Sequence, residues 1–304
     1  MECLPRFGAN SPDEAVKSAI VAVVGRPSSG KSTLVNALCG GKVSIVSPVP
    51  QTTRNRVRGI LNAAEGQLVF IDTPGFHLSE KKLNRYMTDI VTSTLAEVEV
   101  VLYVVDGTRP AGQEERALQA ALRASARPLV LCVNKSDSAD WSPDLEALTA
   151  CFPGTQPLPV SALKRSGLDL LKGALFSLCP EGEQMYPEDY YTDQTPEFRI
   201  TEIVREKAML QTRDEVPHSI YVRLEDLEMR DAGAMLWARG FICVERESQK
   251  GIVVGRAGER IKAIVREAQL ELSEIFPWEV KLDFRVKVDR DWRKRDPLLK
   301  KMIR

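Results

Sequence analysis

The sequence is short of the residues that metal and disulfide chemistry require. Its 304 residues include only two histidines, His77 and His218, and six cysteines, none of which forms a C-x-x-C pair. A Cys/His zinc site is not expected from that number and spacing. Aromatic residues make up only 6%. No run of about 18 apolar residues occurs, so no bilayer-spanning helix is expected. The start, Met1-Glu2-Cys3-Leu4-Pro5-Arg6, has no basic region followed by an apolar stretch, so no cleaved signal peptide is expected. A reduced, soluble, cytoplasmic protein is the expectation. Net charge is also absent, with 42 Lys and Arg against 42 Asp and Glu. That balance hides an asymmetry. From Glu245 to Arg304 there are 16 basic and 11 acidic residues, which points to an anion-seeking C-terminal region.

What is present is ordinary globular composition, 43% hydrophobic and 28% charged, which rules out a wholly disordered chain. The length suggests two domains. Residues 1–18 are polar, interrupted by Pro5 and Pro12, and read as a loose extension. From Ala19 to Val24 runs a short apolar segment ended by Gly25, the pattern of a strand buried on both faces. Similar runs recur at Leu68–Ile71, Val100–Val105 and Leu129–Val133, with a shorter one at Leu158–Val160. Helical stretches separate them at Lys31–Cys39, Lys82–Ala96, Gln113–Ala124 and Gly167–Leu178. This alternation predicts an α/β domain over 19–180 with a mostly parallel sheet. Residues 181–196, with Pro187 and Pro196, read as a linker. An α+β region follows over 197–289. It has helices at Glu197–Met209 and Glu259–Ile275, and strands at Ser219–Glu225, Phe241–Glu247 and Val280–Val288. The charged tail 290–304 is either a solvated end or a further anion contact, and residues 227–240 have no reading.

The strongest motif is Gly25-Arg26-Pro27-Ser28-Ser29-Gly30-Lys31-Ser32. It fits G-x-x-x-x-G-K-[ST] between a predicted strand and a predicted helix. There, backbone N–H groups and the helix N-terminus cradle phosphates. Lys31 would reach the β- and γ-phosphates, and Ser32 would ligate Mg²⁺. Asn134-Lys135-Ser136-Asp137 follows the strand ending at Val133. A carboxylate at Asp137 accepts from N1–H and the 2-amino group of guanine, donors that adenine lacks. Ser161-Ala162-Leu163 would close the base pocket with backbone N–H groups. Asp72-Thr73-Pro74-Gly75 follows the predicted strand Leu68–Ile71. Asp72 would hold Mg²⁺ through water, and the Gly75 N–H would meet the γ-phosphate. Thr52-Thr53 lies in a loop where a threonine hydroxyl could complete the Mg²⁺ shell. Phe76 stands where many GTPases carry a water-orienting glutamine. A phenyl ring cannot orient water, so slow hydrolysis is expected, and the adjacent His77 reads as structural.

These five motifs, in this order, resemble the translation-factor class of P-loop GTPases. D-T-P-G-F-H, the linker Y-P-E-D-Y-Y-T-D and V-E-R-E-S-Q-K-G-I-V-V-G-R-A-G-E-R-I-K together resemble the Era family of bacterial ribosome-assembly GTPases, from about Ile20 to about Asp289. Within the last motif, Gly255-Arg256-Ala257-Gly258 is the G-x-x-G of a type 2 K-homology domain, whose loop clamps a nucleic-acid backbone. Arg256, Arg260 and Lys262 would supply its positive charge. The resemblance implies GTP and GDP with Mg²⁺, slow hydrolysis by a site including Lys31, Thr53 and Gly75, and a monomer. It also implies binding to 16S ribosomal RNA near its 3′ end, action in small-subunit maturation, and peripheral contact with the inner face of the cell membrane. Relatives carry asparagine and valine at Ser28-Ser29, and that asparagine helps ligate K⁺; the shorter serine leaves potassium dependence open. Two alternatives remain: another RNA-linked GTPase of the superfamily, or an RNA-binding protein with a vestigial nucleotide pocket.

Overall fold

The structure, a computed structural model, describes residues 16–79 and 81–302. Most of the expected extension lies outside the described residues. Its last two positions do not belong to an extension, because β1 runs Lys17–Val24. Lys17 is fastened by its backbone N–H to the Glu65 carbonyl and by Nζ to the Phe176 carbonyl.

The first domain is built in the order β1, α1 (Lys31–Cys39), β2 (Val57–Ala63), β3 (Gly66–Asp72), α2 (Lys82–Glu97), β4 (Val100–Asp106), α3 (Gln113–Ser125), β5 (Leu129–Asn134), α4 (Leu145–Cys151), β6 (Leu158–Pro159) and α5 (Leu168–Leu178). The six strands pair in the order β2-β3-β1-β4-β5-β6, all parallel except β2 against β3. Every residue of β3 and β4 is buried, as sandwiched strands require. α1 and α5 cover one face, with Leu34, Leu38, Leu171 and Leu175 in contact with the sheet. α2, α3 and α4 cover the other, with Val91, Leu95, Leu118 and Leu148. β2 and α4 escaped the sequence reading. β2 is half exposed (Val-Arg-Gly-Ile-Leu-Asn-Ala) and has no continuous apolar run.

The linker is an ordered strap. It covers the free edge of the sheet, where unpaired backbone groups of β2 would otherwise face outward. The Ile60 N–H donates to the Tyr191 carbonyl at 2.9 Å, and Arg58 pairs with Asp193 at 3.0 Å. The fully buried Gln67 side chain bonds the backbone at Met185 and Tyr186.

Pro196 is not linker but the first residue of α6 (Pro196–Leu210), whose N-terminus is capped by the Thr195 hydroxyl. The second domain continues with α7 (Val216–Ser219), β7 (Tyr221–Arg230), β8 (Met235–Val244), α8 (Glu247–Val254), α9 (Glu259–Ile275) and β9 (Glu279–Val288). The sheet order is β7-β8-β9, with β8 antiparallel to β7 and parallel to β9. Several sequence boundaries need correction. Ser219 closes a helix, the strand expected over 241–247 lies at 235–244, and Glu247 opens a helix. The unread segment 227–240 is the end of β7, a tight turn at Asp231–Gly233 and most of β8. α6 and α9 pack on one sheet face through Ile203, Val204, Ile264, Ala268 and Leu272.

Residues 290–302 of the tail are not a frayed end. A short 3-10 turn (Trp292–Lys294) and α10 (Asp296–Met302) fold back onto α2 and the opposite face of the second sheet. Trp292 and Leu299 are fully buried there beside Leu83, Met87 and Tyr221. A cavity of about 960 Å³ lies between the two domains and not over the phosphate loop; Arg54, His77, Lys82, His218 and Arg293 are among its walls.

Candidate nucleotide and RNA sites

The phosphate loop leaves the C-terminal end of β1 and enters α1 through Gly30, which has φ 93. Its glycines are dictated by close approach. A Cβ at Gly25 would stand 2.3 Å from the Val104 carbonyl oxygen, one at Gly30 2.2 Å from Asn134 Nδ2, and one at Gly75 2.6 Å from Pro27 Cα. Gly75 thus seats the Asp72-Thr73-Pro74-Gly75 turn directly on the loop. The Phe76 N–H continues the contact by donating to the Gly25 carbonyl at 3.1 Å. Ser28 is exposed with φ 62, at the crest of the loop.

Lys31 is buried, and Nζ donates to the carbonyls of Gly25 at 3.1 Å and Arg26 at 2.9 Å. Burial pushes its amine down to about 8, against the opposing pull of Asp72 and Glu115. Three oxygens of separate elements meet beside it. Ser32 Oγ lies 2.7 Å from Asp72 Oδ2 and 2.8 Å from Thr53 Oγ1, and Thr53 donates to Asp72 at 3.5 Å. Asp72 is fully buried, and its Oδ1 has no hydrogen-bond partner among the described residues. Burial raises its carboxyl above the ordinary value, opposed by Lys31 and the Ser32 hydroxyl. A hard divalent cation suits such an all-oxygen cluster with an unsatisfied carboxylate, so Ser32, Thr53 and Asp72 fit Mg²⁺. Thr52 does not join them: its hydroxyl bonds Ser47 and the Val49 carbonyl. The Thr73 hydroxyl is likewise internal, donating to Val23.

Asn134 ties the base loops to the phosphate loop. Its Nδ2 donates to the Ser29 carbonyl at 2.9 Å, and its Oδ1 accepts the Ala162 N–H at 3.0 Å. A guanine O6 reaching the Ala162 amide would share a donor already in use. Lys135 pairs with Asp106 at 2.7 Å; burial opposes the Asp106 charge, yet Lys135 and Thr108 hold its carboxyl below the ordinary range. The exposed Asp137 accepts from Ser161 Oγ at 2.5 Å, which orients the carboxylate at the pocket mouth. Ser136 donates its N–H to Val160, while the Leu163 side chain is 73% exposed and covers nothing in this structure.

Phe76 is buried in the core under α2 and α3 and presents no polar atom to the site. His77 contacts Glu114 of α3 and none of the oxygen cluster. Sequence reasoning missed Glu115, which is almost wholly buried and grips Arg26 of the phosphate loop and Tyr103 of β4. A single glutamate early in a helix gives no signal of that role.

In the second domain, α8 ends at Gly255 (φ 74), the turn passes through Ala257 (φ 50), and Gly258 (φ 78) opens α9. The two glycines serve different ends. A Cβ at Gly255 would strike Arg260 at 2.7 Å, inside the protein, whereas one at Gly258 would meet only open space. At Gly255 it is therefore the protein's own backbone and side chain, not a ligand, that excludes a Cβ. Arg256, Ala257 and Lys262 are exposed, while Arg260 is half-buried and its side chain bonds the Ile252 carbonyl. Beside the turn runs a groove of about 340 Å³ with Ile261, Val265, Leu282 and Phe284 as apolar lining and Lys262 and Arg266 at its margin. The lining was missed because Ile261 and Val265 also pack against the core, so nothing in the sequence separates the two roles.

A phosphate loop, an oxygen cluster and a guanine-type carboxylate at one sheet edge, followed by a G-x-x-G turn beside an apolar groove, define a P-loop GTPase joined to a KH domain. The family models agree: residues 20–135 match "50S ribosome-binding GTPase" and residues 215–293 match "KH domain". GTPase Era of Treponema denticola is 46% identical over 292 residues, covering 94% of this chain and 99% of its own length. GTPase Era of Halothermothrix orenii is 40% identical, covering 94% and 98%. Among solved structures, Aquifex aeolicus Era Y63A bound to GDP·AlF4⁻ superposes with TM-score 0.88 at 39% identity, covering 94% of this chain and 98% of its own. Era in complex with MgGDPNP and nucleotides 1506–1542 of 16S ribosomal RNA superposes with TM-score 0.89 at 38% identity, with the same coverage. The chain belongs to the Era family of GTPases.

Proposed function

We propose that this protein is a GTP-driven switch that holds 16S ribosomal RNA near its 3′ end during small-subunit maturation. Residues 19–180, with β1 starting slightly earlier, form the nucleotide domain, and 197–289 the RNA domain. The observation that carries the reading is the convergence of Ser32, Thr53 and Asp72 beside Lys31, with Asn134 joining phosphate and base loops. Backbone N–H groups of Gly25–Ser32 cradle the phosphates, and Lys31 moves from the Gly25 and Arg26 carbonyls onto phosphate oxygen. Mg²⁺, when bound, neutralises charge developing on the phosphoryl oxygens. Thr53 and the Gly75 N–H hold the γ-phosphate end in place. No side chain of the site acts as a general base toward water, which gives slow hydrolysis. Asp137 selects guanine. Arg256 and the exposed backbone at Ala257 and Gly258 meet the RNA backbone, and the groove under Ile261 and Val265 takes unstacked bases.

The family description names the 50S particle, but the related structure that matches both domains holds 16S RNA, and the KH domain supports that RNA reading. Among the described residues no helix is long and apolar enough to cross a membrane, and a cytoplasmic monomer is proposed. A potassium ion would find the Ser28 hydroxyl in place of an asparagine oxygen; hydrolysis rates in potassium and sodium buffers decide its role. Competition binding of GTP against ATP, with hydrolysis measured alongside, tests the reading. ATP binding as tight as GTP, or absence of hydrolysis, contradicts it.

A further inference from the structure

Thr53 is bracketed by two arginine contacts with the second domain. On one side, the Thr52 carbonyl accepts from Arg205 Nη2 of α6 at 2.7 Å, and Arg205 is itself buried and paired with Glu202. On the other, the Arg54 side chain leaves the nucleotide domain altogether. Its Nη1 donates to the Ile220 carbonyl at 2.7 Å and its Nη2 to the His218 carbonyl at 3.2 Å. Trp292 takes the carbonyl between them, donating Nε1 to Ser219 at 2.8 Å. These three carbonyls lie at the C-terminal end of α7, where a helix leaves acceptors without internal partners. The guanidinium stands 5.4 Å from the Trp292 ring centroid, and Arg54 is 5% exposed. A buried guanidinium held by fixed carbonyls and an aromatic face has little freedom, so the peptide preceding it has little either. That peptide carries Thr53, whose hydroxyl lies 2.8 Å from Ser32 Oγ.

We propose that Arg54 is a positioning residue for the nucleotide reaction: anchored in the RNA-binding domain against Trp292, it holds the Thr53 hydroxyl at the Mg²⁺ cluster. The inference rests on the GTPase reading of that cluster and adds to it a dependence on the docked second domain. The Arg54 side chain donates to the His218 and Ile220 carbonyls and not to Ser32, Thr53 or Asp72. Its contribution is felt only where Thr53 is used, that is, with the triphosphate and not with GDP.

The test uses the full chain with Arg54→Ala, Arg54→Lys, Thr53→Ala and the Thr53→Ala/Arg54→Ala double variant. Calorimetry with Mg²⁺ and either GDP or a non-hydrolysable GTP analogue is read beside single-turnover hydrolysis and amide hydrogen exchange over residues 51–55. Arg54→Ala is expected to leave GDP affinity within about twofold of native and to weaken the analogue roughly tenfold, the scale of one charge-assisted hydrogen bond. Hydrolysis should fall with it and exchange over 51–55 should rise, while Arg54→Lys recovers part of each. The double variant should be no worse than Thr53→Ala alone, because both remove the same contribution. Unchanged analogue affinity in Arg54→Ala, or losses that add to those of Thr53→Ala, overturns the proposal. If Arg54→Ala does not fold, the cycle is run with Arg54→Lys on the same criteria. A native chain that binds neither nucleotide overturns the GTPase reading instead.

Discussion

Asn134 Nδ2 donates to the Ser29 carbonyl at 2.9 Å and joins the loop after β5 to the loop after β1. The bond makes one rigid pocket from two sheet-edge loops that are distant in sequence. A Cβ at Gly30 would occupy the same space, 2.2 Å from that nitrogen. The proposed phosphate loop and base loops are therefore tied together by one side chain.

Nucleotide binding should take up a proton at alkaline pH. In the free protein burial holds Lys31 near 8, and phosphate favours the ammonium form, so binding raises its pKa. Affinity should be flat below pH 7 and fall as pH rises through about 8. Calorimetry at pH 8.5 in buffers of different ionisation enthalpy should show proton uptake. Proton release, or no pH dependence up to 9.5, contradicts the role given to Lys31. In the nucleotide-free protein the same shift makes Lys31 a stability cost below about 8 that is relieved toward its unfolded value of 10.5.

Asp137→Asn should weaken GTP and admit xanthine nucleotides. Ser161 holds one carboxylate oxygen at 2.5 Å, and an amide in the same place offers one acceptor and one donor, which fits the 2-oxo group of xanthine. Competition with XTP reads the exchange. Equal GTP affinity in native and variant protein would show that the base sits elsewhere.

Phe76→Ala should act on stability before chemistry. The ring is buried under α2 and α3, and losing it should cost about 3–5 kcal/mol. Thermal unfolding measures that loss. Single-turnover hydrolysis below the melting transition should not fall by the roughly 10²–10⁴-fold expected of a general base; a fall of that size at unchanged GTP affinity contradicts the assignment.

Much of the nucleotide site was legible because phosphate and guanine recognition depend on short local patterns attached to buried strands. Gly25–Ser32, Asp72–Gly75 and Asn134–Asp137 each follow an apolar run that names its own strand. The features that escaped depend on tertiary contact. β2 hides its pairing because one of its faces is half exposed, while the linker strap supplies the missing edge partner. Glu115 meets Arg26 only after α3 packs beside β4. The charged tail conceals Trp292 and Leu299 among basic residues, and no local pattern shows that α2 and β7 will bury them. Truncation at Asp289 would therefore remove part of the interdomain core.

The pairing of a GTP site with an RNA-holding turn is tested most directly by the double substitution Arg256→Asp and Ala257→Asp. Both side chains are exposed, Gly255 and Gly258 remain, and aspartate tolerates the left-handed backbone at position 257, where φ is 50. The measurement is equilibrium binding of a 16S RNA 3′-end fragment at matched salt, with GTP affinity taken on the same samples. Native protein should bind the fragment with an affinity that falls as salt rises. The variant should bind it at least about tenfold more weakly, which is about 1.4 kcal/mol, with unchanged GTP affinity. RNA binding equal to native in the variant contradicts the account.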